Sequence, residues 1–132
     1  MPGKAFFDTN VVVYAFSSNE LKKRIALELL SGGGTISIQT LNEFVNVANR
    51  KMKRPWRDIE HWLDGLRAVC ATVPVTMAVH EMGMKIAQES RYHIYDSLML
   101  AAAIEAGCTV FYSEDMQDGQ TIGDLTICNP FA

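Results

Sequence analysis

The sequence has no long hydrophobic run. Its longest strictly apolar stretches are Val11–Phe16 and Leu98–Ile104, far short of the roughly 18 residues a membrane span needs. Met1-Pro2-Gly3-Lys4 leads straight into Ala5-Phe6-Phe7-Asp8 with no apolar leader and no cleavage signature, so no signal peptide is expected. Cysteine is scarce. Cys70, Cys108 and Cys128 are odd in number and far apart, which fits neither a disulfide framework nor a zinc site. A reduced, cytoplasmic protein is the expectation. Positive charge is also in short supply. The formal net charge is −3, which argues against binding nucleic acid by overall charge. Linkers, repeats and low-complexity segments are missing too.

What is present is the composition of a folded domain, 48% hydrophobic and 20% charged over 132 residues. That length suits one domain around one core. Charge is unevenly spread. Arg50, Lys51, Lys53, Arg54 and Arg57 make up five of the twelve basic residues, and Glu114–Asp124 holds four of the fifteen acids and no base. A local basic patch on an acidic protein is therefore open.

Short apolar stretches alternate with helical patterns. Ala5–Phe7, Thr35–Ile38, Val73–Val75, Thr109–Tyr112 and Leu125–Ile127 read as strands. Helices are expected after Thr9-Asn10, from Asn19-Glu20 with Leu21, Ile25, Leu29 and Leu30 on one face, from Leu41 to Lys53 with Thr40 as cap, and from Trp56 to Val69. Two more follow, one capped by Thr76 and ending at Ser90, the other opened by Asp96 and covering Ser97–Glu105. The expected architecture is a three-layer α/β/α sandwich with a mainly parallel central sheet.

In such sheets ligands bind beyond the carboxyl ends of the strands. Asp8 ends the first strand, and Ser113, Glu114 and Asp115 follow the fourth. Glu43 lies near the start of the helix after the second strand, and Asp96 at the start of the helix before the fourth. Taken singly, each is an ordinary cap, first-turn acid or loop residue. Together they bring carboxylates to one sheet edge, where like charges repel unless a cation offsets them. Hard oxygen ligands suit Mg²⁺ or Mn²⁺. Glu114 is expected to point away, because neighbours on a strand end face opposite sides.

The order of these motifs resembles the PIN domain family, in particular toxins of the VapC type. Phe6-Phe7-Asp8-Thr9-Asn10-Val11 is similar to the family's opening. Thr40-Leu41-Asn42-Glu43-Phe44 carries the second acid, Tyr95-Asp96-Ser97-Leu98 the third, and Tyr112-Ser113-Glu114-Asp115 the fourth. The closing Thr126-Ile127-Cys128-Asn129-Pro130-Phe131 also resembles many VapC-type ends. Ser113 stands where a Thr is frequent, and Asp118 is followed by Gly119 where the family often has Phe.

The resemblance implies a metal-dependent ribonuclease. Asp8, Glu43, Asp96 and Asp115 would be its catalytic carboxylates, with Asp8, Asp96 and Asp115 among the metal ligands. Thr9 and Ser113 would orient them, Asn10 would shape the turn, and Asp118 would be a supporting fifth acid. It further implies a homodimer and a cognate antitoxin. Surplus apolar residues such as Val45, Val47, Trp62 and Leu63 are in keeping with an interface.

For RNA contact the candidates are Arg50, Lys51, Lys53, Arg54 and Arg57, with Trp56 stacking on a base. The competing reading makes the bases partners of a helix C-terminus and puts Trp56 in the core. The cysteines and the scattered His61, His80 and His93 show no nucleophilic arrangement. Two other functions compete. A haloacid-dehalogenase-like phosphatase needs an acid where Asn10 stands. A binding-only domain would keep the fold without the chemistry.

Overall fold

A computed structural model describes residues 4–132; the leaderless reading of Met1-Pro2-Gly3 lies outside the described residues. Strand β1 (Ala5–Phe7) lies at the centre of a six-stranded sheet. It pairs in parallel with β2 (Gly34–Ser37) and β4 (Val110–Tyr112). Beyond β2 lies β3 (Cys70–Val73), and beyond β4 lie β6 (Leu125–Cys128) and then β5 (Thr121–Ile122). All pairings are parallel except the hairpin of β5 with β6.

Consecutive strand residues point to opposite faces, and that alternation builds the three layers. Phe6 stacks on Phe111 at 5.4 Å and packs with α5 (Met77–Ser90) and α6 (Ile94–Glu105). Phe7 stacks on Tyr112 at 5.8 Å on the other face. There it joins the core of α1 (Thr9–Ala15), α2 (Glu20–Ser31), α3 (Ile38–Arg50) and α4 (Trp56–Val69). No helix among the described residues is long and apolar enough to cross a membrane.

Helix α6 is apolar almost all round and buries Met99–Ala103. Its partner α5 comes very near. A Cβ at Gly83 would stand 2.6 Å from Leu98 Cδ2 and 3.2 Å from Leu98 Cα. Gly83→Val is therefore expected to destabilise the domain by about 1–3 kcal/mol, the usual cost of overpacking. Urea denaturation would show it as a lower midpoint with an unchanged slope.

Several sequence expectations need correction. The third strand is not Val73–Val75 but Cys70–Val73. Pro74 has no N–H to give the ladder, so pairing stops before it. Helix α3 is capped by Ser37, whose side chain accepts from Thr40 N–H while Thr40 Oγ1 accepts from Ser37 N–H. Thr40 thus closes a capping box from inside the helix and is not the cap. The helix stops at Arg50, not Lys53. Asp96 does not open α6: His93 does, its Nδ1 accepting from Tyr95 N–H at 3.2 Å. Leu21 is 65% exposed, and α2 buries Ala26 and Leu30. Trp62, Leu63 and Val45 pack against the core; the exposed apolar side chains are others, including Leu27, Ile38, Met77 and Met84.

Candidate active site

Asp8 is the first residue beyond β1, and only 6% of it is exposed. Its position is over-determined. The backbone N–H of Asp8 bonds Tyr112 O at 3.0 Å. Oδ1 accepts from Thr9 N–H at 2.7 Å, and Oδ2 accepts from the Ser113 hydroxyl at 2.8 Å. Ser113 is fully buried and also accepts from Asp115 N–H at 3.2 Å. One hydroxyl therefore ties the acid after β1 to the acid after β4.

Glu43 approaches from α3. Its Oε1 accepts from the Thr9 hydroxyl at 2.7 Å, and its Oε2 from Gln39 Nε2 at 2.9 Å. Gln39 also donates to Tyr95 O at 2.8 Å, which links α3 to the first turn of α6. Asp96 is the third residue of that helix. Because His93 supplies the cap, the Asp96 carboxylate is free to face the other acids. Asn10 donates to Asp115 Oδ2 at 3.1 Å and accepts from Glu114 N–H at 3.2 Å.

The electrostatics bind these four acids into one set. The Asp8 carboxyl is pushed up to about 7, mainly because burial strips its charge of water. The Ser113 hydroxyl and Thr9 N–H pull against that shift, while the charges of Asp96 and Glu43 add to it. Asp96 is also raised, by burial first and then by Glu43 and Asp115, with His93 opposing. The one salt bridge among the described residues is Lys22–Glu114. None of the four acids is in a salt bridge among the described residues.

The donor set fits a hard divalent ion: carboxylate oxygens, held by hydroxyls and an amide, with a surplus of negative charge. As the side chains stand, no three His, Cys, Asp or Glu groups among the described residues close around one point.

Glu114 lies outside the set. It accepts from the Tyr14 hydroxyl at 2.6 Å and pairs with Lys22; those partners hold its carboxyl below the ordinary range. Asp118 is exposed and accepts from Asn129 N–H at 2.8 Å, fixing the chain's closing turn. Neither Gln39 nor the Tyr14–Glu114–Lys22 cluster was picked out in the sequence. The i, i+4 spacing of Gln39 and Glu43 was a usable signal for the first; the second joins residues up to 100 apart and left none.

The basic segment is split by the fold. Arg50 ends α3, while Trp56 and Arg57 begin α4. Trp56 is 59% exposed, which overturns its core reading. Lys51 lines a groove of about 410 Å³ with Thr9, Asn10 and Asp115. Arg54 turns into a neighbouring cleft. Lys53 is exposed in the turn between them. Burial raises all three cysteine thiols, Cys70 to about 11, which keeps them in the protonated form.

The family model for the PIN domain matches residues 5–117. The chain belongs to the PIN domain family. No curated protein matches the sequence. Among solved structures, this PIN domain is similar to a toxin–antitoxin complex from Klebsiella pneumoniae, at 23% identity and a TM-score of 0.75, covering 97% of this chain and 98% of that one. It is also similar to VapC20 of Mycobacterium tuberculosis, a sarcin–ricin loop cleaving toxin, at 18% identity and a TM-score of 0.68, with 82% and 87% covered. A third is VapBC2 from Rickettsia felis bound to a DNA fragment from their promoter, at 20% identity and a TM-score of 0.65, with 93% and 96% covered. Likeness at these identities speaks to the fold.

Proposed function

We propose that this PIN domain is a Mg²⁺- or Mn²⁺-dependent ribonuclease and the toxin of a toxin–antitoxin pair. The observation that carries this reading is the set Asp8, Glu43, Asp96 and Asp115. Four separate elements supply it, buried groups hold it, and none of its acids is in a salt bridge among the described residues. When bound, Mg²⁺ or Mn²⁺ acidifies water and offsets the charge that grows on a phosphodiester undergoing hydrolysis. Asp8, Asp96 and Asp115 are the residues that would hold it, at least one of them through a water rather than directly. Thr9 and Ser113 fix the carboxylate rotamers, and Glu43 is itself held by Thr9 and Gln39. Lys51, in the groove beside Asp115, is placed to meet a phosphate of the RNA strand. Similarity to toxin–antitoxin complexes supports the partner assignment.

The direct test is RNA cleavage by the purified chain. EDTA is expected to stop it, and Mg²⁺ or Mn²⁺ to restore it. Full activity in EDTA would sink the mechanism.

Expression of the chain alone is expected to slow growth, with rescue by the product of the adjacent gene. Light scattering is expected to return twice the 14.7 kDa chain mass. A harmless chain that binds no neighbouring product would leave the toxin assignment without support. A monomer mass at micromolar concentration would remove the homodimer.

A further inference from the structure

Next to the acidic groove is a second cleft, of about 440 Å³, lined among others by Lys23, Arg54, Ser17, Ser18, Phe16 and Trp62. No carboxylate lines it. On a chain of net charge −3, two cations, Lys23 and Arg54, line one cleft with no acid among its lining. Neither Lys23 nor Arg54 is ion-paired among the described residues.

The cleft floor is built. Phe16 stacks on Trp62 at 4.8 Å and 24°, and the Arg54 guanidinium lies over the Trp62 ring at 5.4 Å. The backbone is bent to put it there. Lys53 has φ +53°, a left-handed conformation unusual for a side chain larger than Asn. Arg54 N–H then reaches back to Ala48 O at 3.0 Å. Strain of this kind often collects at binding sites. The two linings also come close along the chain. Tyr14 and Lys51 line the acidic groove, and their sequence neighbours Ala15 and Met52 line the cleft, so the linings are one Cα step, ~3.8 Å, apart.

We infer that this cleft is a nucleotide subsite for a single-stranded RNA flanking the cleaved bond. Lys23 receives a phosphate, and a base stacks on the outer face of Arg54. The chemistry is that of the contacts: a cation without a partner takes a phosphate, and a guanidinium plane backed by an aromatic ring takes a base face. The identity of the ligand as RNA rests on the nuclease reading; the existence of the site does not.

The test is binding without catalysis. A labelled single-stranded oligoribonucleotide with 2′-O-methyl riboses is titrated in EDTA and followed by fluorescence anisotropy at several salt concentrations. Arg54→Gln and Lys23→Gln are each expected to weaken binding about fivefold or more and to lower the salt slope by about one. Arg54→Lys should keep the slope and still bind less tightly, since it keeps the charge and loses the plane. Lys85→Gln, at an exposed position of α5, controls for loss of charge in general. Melting curves check that every variant is folded. If Arg54→Gln and Lys23→Gln bind like Lys85→Gln, there is no subsite. If an acidic peptide displaces the oligonucleotide at equal concentration, the cleft takes protein and the inference is wrong. Failure of the nuclease reading looks different: wild type then cuts nothing with Mg²⁺, while the binding losses at Arg54 and Lys23 remain.

Discussion

Asp8→Asn is expected to reduce RNA cleavage by roughly 100-fold or more, because the cation that offsets the charge growing on the phosphodiester loses a ligand. The amide keeps the shape and loses the negative charge. Growth inhibition should vanish with the cleavage.

The same variant is expected to be the more stable protein when metal is removed. Asp8 is buried, and its folded pKa of about 7 lies above the ordinary 3.8. A carboxyl whose pKa is raised by folding contributes stability that is whole below the unfolded value and is lost as pH rises through the folded one. In EDTA, wild type should therefore melt progressively lower from about pH 4 to pH 8, on account of this group. Asp8→Asn lacks the titration. The two proteins should melt alike near pH 4, with the variant several degrees higher at pH 8; for a domain of this size ~1 kcal/mol is about 3–6 °C. Saturating Mg²⁺ should raise the wild-type midpoint and leave the variant's nearly unmoved. A variant that melts lower than wild type in EDTA at pH 8 would show that the Asp8 charge is already compensated without metal.

Ser113→Ala carries the second-largest expected effect, a 10- to 100-fold loss of metal affinity or activity, as for other groups that orient a ligand. Ser113 donates to Asp8 and accepts from Asp115 N–H. Without it, Asp8 Oδ2 keeps only the long 3.4 Å bond from Asn10, and the loop carrying Asp115 loses its tie to β1. Since the Ser113 bond pulls the Asp8 pKa down, its removal makes protons better competitors for the site. The cation concentration for half-maximal activity should rise, more steeply at pH 6 than at pH 8. Ser113→Thr should restore activity by keeping the hydroxyl. Loss of activity at an unchanged metal requirement would mean that Ser113 serves folding alone.

Asp8 and Asp115 were legible because each follows an apolar strand in a way that period and length reveal. Phe6-Phe7 followed by Asp8, and Phe111-Tyr112 followed by Ser113, mark strand ends with polar groups attached. Glu43 was less obvious from the residues alone: it sits one turn into α3, where an exposed acid is equally usual. Element boundaries were legible where a residue forbids something, as Gly32-Gly33 does after α2. They failed where two residues were equally able, as with Ser37 against Thr40 and His93 against Asp96, because either side chain can accept the N-terminal N–H groups.

The sequence by itself determined the α/β/α layering and the mainly parallel sheet, since alternation of apolar strands and helices allows few packings. Only the tertiary structure decided how those acids are held. Thr9 to Glu43, Ser113 to Asp8, Asn10 to Asp115 and Gln39 to Tyr95 O join residues 34 to 105 positions apart, and no local pattern encodes such pairs. It also divided five neighbouring bases between two cavities and the solvent. A turn at Lys53 sets that division, and its left-handed backbone depends on Ala48 and Trp62 being where the fold places them.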